Sequence, residues 1–335
     1  MPRPVVLVSL VVMACVEPLG DTSPQVDGPR ILAVAASPPE VAPGDSVTLE
    51  ALAVDADGPR PDLAVRWAGC LARKPLAELG PVAPACLSGE EGAVLTLEDG
   101  VSTTMTVPTD VCARFGPNPP LPTEGAVAGR PVDPDTTGGY HQPVVAAHPD
   151  TQALTLGAVR ARCGLANVPQ ETFVYWNQNY QNNVAPTIAA WTLDGEPFED
   201  DATVSAAQVA RIGITWPVCP VSTRCGDGVC GSDEDRATCA DDCTVVAGCA
   251  GAETYVRYDD AARTFETQVE ALSATWFATG GAFEVARNGV KDAESDRVEN
   301  AWTAPDAPGT LWLWAVLRDE RGGVSFDARR LVVAP

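Results

Sequence analysis

The chain has 335 residues, 45% of them hydrophobic, and a formal net charge of −23 at pH 7. This hydrophobic content is enough to form packed cores, which excludes global disorder, and the length is that of two or three domains. The acidic balance excludes nucleic acid and anionic membrane surfaces as partners, because both would repel the chain.

Residues 1–14 have the pattern of a signal peptide, since Arg3 precedes an apolar run of ten residues that is too short to span a bilayer. The run ends Val12-Met13-Ala14-Cys15, which resembles the lipobox of bacterial lipoproteins. That resemblance implies that Cys15 is acylated, that the lipid anchors the mature chain to a membrane, and that Val16 directs it to the outer membrane. The alternative is an ordinary cleaved leader with an incidental cysteine.

Residues 15–29 are mostly polar and predict a tether. From residue 30 the pattern changes to period two, as in the segments that begin at Val47 and Leu63, with Gly and Pro in each gap. Residues 30–165 are therefore predicted to form a β-sandwich domain.

Residues 166–185 connect this domain to the next and are predicted to contain a short helix. They hold four aromatic residues among amides: Phe173, Tyr175, Trp176 and Tyr180. One interpretation is a sugar-binding surface, and the other is that the rings pack the joint between two sandwiches.

Residues 186–335 repeat the pattern of the first domain. Leu272-x-Ala274-x-Trp276 matches Leu63-x-Val65-x-Trp67, and Trp302-Thr-Ala-Pro305 matches Met105-Thr-Val-Pro108. A turn at 319–323 separates the last two predicted strands. The Trp302-x-Ala-Pro motif and Pro43-Gly-Asp-Ser-Val-Thr-Leu49 resemble bacterial surface Ig-like domains, which implies a fold and a surface location.

Ten cysteines remain beyond Cys15, and in an exported chain they predict five disulfides. Cys70–Cys86 and Cys112–Cys163 are expected within the first domain, and Cys219–Cys249 is expected to close the neck of an insertion, residues 219–249. The other four cysteines allow three connectivities. The interleaved one, Cys225–Cys239 with Cys230–Cys243, is preferred because it gathers three acidic residues.

The insertion resembles a short cysteine-rich module with the pattern Cys-Gly-Asp-Gly-x-Cys, loosely akin to Notch-type repeats. That resemblance implies calcium as a cofactor, with Asp227, Glu234 and Asp242 as ligands. The alternative is a disulfide knot with a merely acidic surface. Zinc on the four thiolates is disfavoured in an oxidising compartment.

Catalysis is not expected. Gly44-Asp45-Ser46 resembles an esterase motif, but such chemistry needs a histidine base. The only histidines, His141 and His148, lie in the irregular middle of the first domain, and the downstream Asp-x-x-His of such esterases is missing. The sequence therefore predicts an all-β fold of two Ig-like β-sandwich domains with a small disulfide-rich insertion. Its predicted function is that of a cell-envelope lipoprotein that binds or adheres to a surface protein or a glycan. The alternative is a structural spacer or assembly component of an envelope complex.

Overall fold

The computed structural model describes residues 24–73, 82–115, 138–165, 168–219, 248–259, 261–290 and 295–335. Strands dominate these residues, as the alternation of buried and exposed side chains requires. The helices are short: α1 (Pro84–Leu87), α2 (Val111–Phe115) and α3 (Gln170–Asn179).

The first sandwich is built from the strands up to residue 162. These strands are β1 (Arg30–Ser37), β2 (Glu40–Val41), β3 (Ser46–Asp55), β4 (Gly58–Pro59), β5 (Arg66–Cys70), β6 (Val94–Thr96), β7 (Ser102–Thr106), β8 (Gly139–Ala147) and β9 (Leu154–Arg162). One sheet pairs β3 with β1, β4 and β7, and the other has the order β2-β9-β8-β5-β6.

The remaining strands form the second sandwich and a separate hairpin. They are β10 (Ala190–Leu193), β11 (Glu196–Phe198), β12 (Ala202–Ser205), β13 (Val209–Thr215), β14 (Thr254–Asp259), β15 (Thr264–Val269), β16 (Leu272–Ala278), β17 (Ala282–Phe283), β18 (Arg287–Val290), β19 (Arg297–Thr303), β20 (Gly309–Arg318) and β21 (Val324–Ala334). The sheets of the second sandwich are β11-β10-β13-β19-β17 and β12-β21-β20-β16-β18, while β14 and β15 form a two-stranded sheet in which, among the described strands, they pair only with each other.

The two sandwiches share one topology. In each, a short early strand pairs in parallel with the last strand, β2 with β9 and β12 with β21. Strands β5 and β16 occupy equivalent places, each between an edge strand and the penultimate strand, and β7 and β19 are likewise equivalent. Both sandwiches are immunoglobulin-like.

This topology confirms the internal repeat. Trp67 lies on β5 and Trp276 on β16, and both indoles are buried. The second matched pair falls on β7 and β19, where Thr106 opposes Ser46 and Thr303 opposes Val209. The matched motifs therefore mark the same two strands in each domain.

The sandwiches lie side by side and share an apolar interface. Leu32 and Leu52 from the first sandwich pack with Phe277 and Trp314 from the second. The approach is close at Gly58, where a Cβ atom would lie 2.7 Å from the Trp312 Nε1 atom. Because burial of apolar surface stabilises association, this interface holds the two sandwiches together.

The N-terminal segment differs from the prediction of a tether that runs through residue 29. Val26 is fully buried in the apolar interface, and its N–H donates to the Ala278 carbonyl over 2.8 Å. The Ala278 N–H donates in turn to the Pro24 carbonyl. Residues 24–26, called the strap below, thus extend the edge of the second sandwich beside the end of β16.

Candidate functional site at the junction of the two sandwiches

Several predicted features lie outside the described residues. They are the signal peptide 1–14, the lipidation residue Cys15, four module cysteines and the three proposed calcium ligands: Cys225, Cys230, Cys239, Cys243, Asp227, Glu234 and Asp242. Within the described ranges, no group of three or more His, Cys, Asp or Glu side chains is placed to hold a metal ion. The same part of the chain holds no helix long and apolar enough to cross a membrane.

Three disulfides join the described cysteines, and they are the pairs expected from the sequence. Cys70–Cys86 and Cys112–Cys163 lie in the first sandwich, with Cα atoms 5.3 and 5.4 Å apart. Cys219–Cys249 joins the two residues that flank segment 220–248, with Cα atoms 5.6 Å apart. This bonded pair is called the neck below. It makes the insertion begin and end at one point.

The chain beyond the neck does not return directly to the sandwich. The apolar pattern of Tyr255–Tyr258 is that of a sandwich strand, but this segment belongs to the separate β14–β15 hairpin. The hairpin packs on α3, where the rings of Phe265 and Tyr175 have centroids 4.5 Å apart. Both faces of this contact are aromatic, so the hairpin gains burial on the connecting helix instead of in a sheet.

Helix α3 confirms the predicted short helix. Some of the aromatic rings in the connecting segment fit the packed joint, and others fit an exposed sugar-binding surface. Trp176 and Tyr180 are buried and stacked with centroids 4.5 Å apart, as expected for a packed joint. Phe173 remains 36% exposed. The buried rings support the joint interpretation.

A buried set of charged and amide side chains lies where the first sandwich, the connecting segment, the neck and the last hairpin turn meet. It is called the junction cluster below, and its members are Glu40, Arg160, Asn183, Glu253, Glu270, Asp319 and Arg321, each 9% exposed or less. Charged side chains are almost never buried unless they are paired. The bonds of this cluster therefore decide its stability.

Arg321 is the centre of the junction cluster. Its Nη2 atom donates to Glu253 Oε2 over 2.6 Å, and its Nε atom donates to Glu270 Oε1. Its Nη1 atom donates to the Gln181 carbonyl of the connecting segment over 3.0 Å. The guanidinium also lies 4.7 Å from the centroid of the Tyr255 ring. One side chain thus links the last hairpin turn to the connecting segment, to the segment that follows the neck and to the β15–β16 connection.

Asn183 joins this part of the cluster to the first sandwich. Its backbone N–H donates to Glu40 Oε2 over 2.8 Å, and its side-chain amide donates to Asp319 over 3.1 Å. Glu40 also accepts from Arg160 Nε and from the Tyr180 hydroxyl, at 3.2 and 2.9 Å. The cluster therefore bridges β2 and β9 to the turn that follows β20.

The cluster also reaches the neck. Glu253 accepts from the Cys249 N–H over 2.9 Å and from the Val184 N–H over 3.0 Å. Gly248 has no space for a side chain, because a Cβ atom there would meet Val184 and Glu253. The position of the neck is thus tied to the same carboxylate that binds Arg321.

Burial perturbs the titration of these acids. It raises the pKa of Glu270 to about 8 and that of Glu253 to about 7, although the positive charge of Arg321 opposes both shifts. Burial also raises the pKa of Asp319, against the hydrogen bonds it accepts from Gly323 and Asn183. Carboxyl groups in this environment hold protons at a pH where exposed ones do not.

The sequence did not reveal this cluster, because its members are far apart along the chain. Glu253 lies 68 residues before Arg321, and Glu40 lies 140 residues before Tyr180. The one local signal was the turn Asp319-Glu-Arg-Gly-Gly323. Its predicted bounds are correct, since β20 ends at Arg318 opposite Val324. The pattern of the turn does not indicate that its Asp and Arg side chains are buried.

Comparisons with known proteins add distant likenesses. No family model matches the chain, and no curated protein matches its sequence. The structure is similar to the Yersinia pseudotuberculosis adhesin InvE at 9% identity and a TM-score of 0.21, covering 89% of this chain and 58% of that one. It is also similar to the D00-D0 domain of intimin at 7% identity and a TM-score of 0.22, covering 90% and 100%. A third is the native form of E. coli alpha-2-macroglobulin, at 9% identity and a TM-score of 0.23, covering 95% and 17%. The Ig-like fold therefore rests on the strand pairing of the two sandwiches.

Proposed function

We propose that this chain is a non-catalytic cell-envelope lipoprotein that acts in binding or adhesion at the surface. Cys15 would carry the lipid, and the insertion between Cys219 and Cys249 would carry the contact with the ligand. The two sandwiches would act as one rigid base between these two functions. Mass spectrometry of the mature chain tests the lipid, since acyl mass on an N-terminal Cys15 is expected.

The observation that carries this proposal is the placement of the two attachments at opposite ends of the second sandwich. The strap pairs with Ala278, the last residue of β16. The neck lies at the other end, because β13 ends at Thr215 just before Cys219, and Glu270 just before β16 binds the Glu253 N–H. A strand of seven residues spans about 20 Å.

The length of the tether favours presentation of the insertion away from the membrane. Eight residues lie between Cys15 and Pro24, and the fully extended chain from one to the other reaches about 30 Å at most. The base would therefore stay near the membrane with the strap end towards it, and the neck end would face outwards.

Rigidity at the junction supports the same role. The neck is bonded to the connecting segment through Glu253, and the connecting segment to the first sandwich through Asn183. Hydrogen bonds to charged groups are the stronger ones, and the apolar interface adds to them. An insertion fixed in this way loses less freedom when it binds a partner, which favours affinity.

The test compares the full chain with a variant in which residues 221–247 are replaced by a short Gly-Ser linker that leaves the neck disulfide in place. Both proteins are applied to a glycan array and to intact envelopes. A discrete ligand that the full chain retains and the variant loses is the expected result. Co-purification of the same envelope proteins with both forms would instead indicate the structural spacer.

A further inference from the structure

The three carboxyl groups nearest Arg321 carry more charge than it can balance. Glu253, Glu270 and Asp319 surround a single guanidinium, so full ionisation would leave two negative charges in excess within a buried space. Uncompensated buried charge is costly, and proton uptake by one of the acids is the usual relief.

The hydrogen bonds indicate which acid takes the proton. Asp319 accepts from the Arg321 and Gly323 N–H groups and from the Asn183 amide, and these bonds favour its charged form. Glu270 is fully buried and accepts from the Glu253 N–H and from Arg321 Nε. With fewer donors and no exposure, Glu270 is the acid least able to remain ionised.

Glu253 also accepts from Arg321, and it has two further backbone N–H partners, at Val184 and Cys249. These donors favour its charged form more than the donors of Glu270 do.

Other groups that titrate or carry charge face this site from every element packed on it. They are Tyr255 and Glu320 beside Arg321, Glu40, Arg160 and Tyr180 on the side of the first sandwich, and His141, which lies against Gly322.

We propose that the junction cluster is a pH-responsive latch, in which a proton on Glu270 keeps the last hairpin turn closed on the neck and its loss loosens that contact. The proton removes one of the two excess charges while Arg321 keeps its bonds to both glutamates. Deprotonation restores the repulsion among Glu253, Glu270 and Asp319. The contact weakened first is the one between the Arg321 turn and the segment that begins at Cys249.

The direction of the pH effect follows from proton binding. The pKa of Glu270 is raised by burial from 4.5 to about 8, so the folded chain binds more protons than the unfolded chain between these values. The contribution of Glu270 to the free energy of unfolding is therefore largest at acidic pH, and it falls as the pH rises through that window. For one such group the unfolding equilibrium constant increases up to about tenfold per pH unit.

The experiment is urea unfolding of the full chain from about pH 5 to about pH 9, comparing wild type with Glu270→Gln. Glutamine imitates the protonated acid and does not titrate. In the wild type the unfolding equilibrium constant should increase by up to about tenfold per pH unit because of Glu270, and this increase should be missing in the variant. Glu284→Gln is the matched control, because Glu284 is exposed on the same sandwich, and it should keep the wild-type slope. Equal slopes for wild type and Glu270→Gln would overturn the proposal. They would leave His141 or the other acids as the source of any pH dependence.

A second readout reports on the latch itself. Reduction of the Cys219–Cys249 disulfide by a phosphine, followed by alkylation and mass spectrometry, measures how open the neck is. In the wild type the rate is expected to rise several-fold from acidic to alkaline pH, whereas in Glu270→Gln it should change much less. If Glu270→Gln fails to fold, Glu253→Gln takes its place in both measurements. A neck that is reduced at the same rate in wild type and variant across the pH range would contradict the latch.

Discussion

Arg321 shows why a turn residue can hold a whole junction. Its planar guanidinium presents donors in several directions, and in this fold they meet Glu253, Glu270 and the Gln181 carbonyl. A lysine would offer one compact charge and could not span the same partners. The buried position also means that the partners depend on it, because removing one member of a buried ion pair leaves a buried charge uncompensated.

Replacement of Arg321 by leucine is therefore expected to destabilise the chain by about 3–5 kcal/mol, since it leaves buried carboxylates without their cation. Arg330→Leu is the control, because its ion pair with Asp201 is 42% and 49% exposed and exposed ion pairs contribute little to stability. Urea unfolding at neutral pH measures both. A loss of equal size in the two variants would show that the cluster contributes no more than a surface pair.

The acidic residues of the insertion support a separate prediction about calcium binding. If Asp227, Glu234 and Asp242 hold calcium, excess ion should raise the melting temperature, as about 2.7 kcal/mol is gained at a hundred times the dissociation constant. The double variant Asp227→Asn, Asp242→Asn should lose that gain, and Asp306→Asn, at an exposed loop, should keep it. Identical melting of the wild type in calcium and in chelator would favour the plain disulfide knot.

At the scale of elements, the strap is the segment whose role differs most from the prediction. A polar stretch after a lipidation motif is typical of a tether, but Val26 is buried and fits between the sandwiches. Pro24 and Val26 then bond both backbone groups of Ala278. The second sandwich therefore takes its edge partner from the start of the chain.

Val26→Asp should weaken this contact and destabilise the protein by at least about 2 kcal/mol, because it buries a charge without a partner. The neighbouring Asp27→Asn, at an exposed position, should change stability by less than about 0.5 kcal/mol. Limited proteolysis should cut the Val26→Asp variant within the strap while the sandwiches remain intact. Resistance equal to that of wild type would mean that the strap is held by other contacts.

Local pattern predicted the longer strands and one helix, but neither the short edge strands nor the places where distant elements meet. Alternation located the strands, the repeated Trp motifs located equivalent strands β5 and β16, and cysteine order suggested the pairs that the described residues contain. Nothing local distinguishes Glu253 or Glu270 from a surface acid, because their burial arises from segments far away in sequence. The β14–β15 hairpin could not be predicted for the same reason, because it packs on α3, which is far away in sequence, instead of joining a sheet.

At the scale of the whole molecule, the chain is a pair of similar sandwiches joined on their faces. The interface combines apolar side chains such as Leu32 and Trp314 with the junction cluster at one end. The strap enters beside Ala278, and the neck leaves from the opposite end of the same sandwich. In the proposed function, this separation places the lipid on one side and the insertion on the other.

The most direct test of this arrangement uses the lipidated full chain in liposomes that contain an energy-transfer acceptor lipid. A donor fluorophore is placed through a non-natural amino acid at Asp306, past the strap end of β19, or at Arg297, at its neck end. The ends of this strand are about 20 Å apart. Stronger transfer from Asp306 than from Arg297 is predicted. Equal transfer, or stronger transfer from Arg297, would contradict a base that holds the neck away from the membrane.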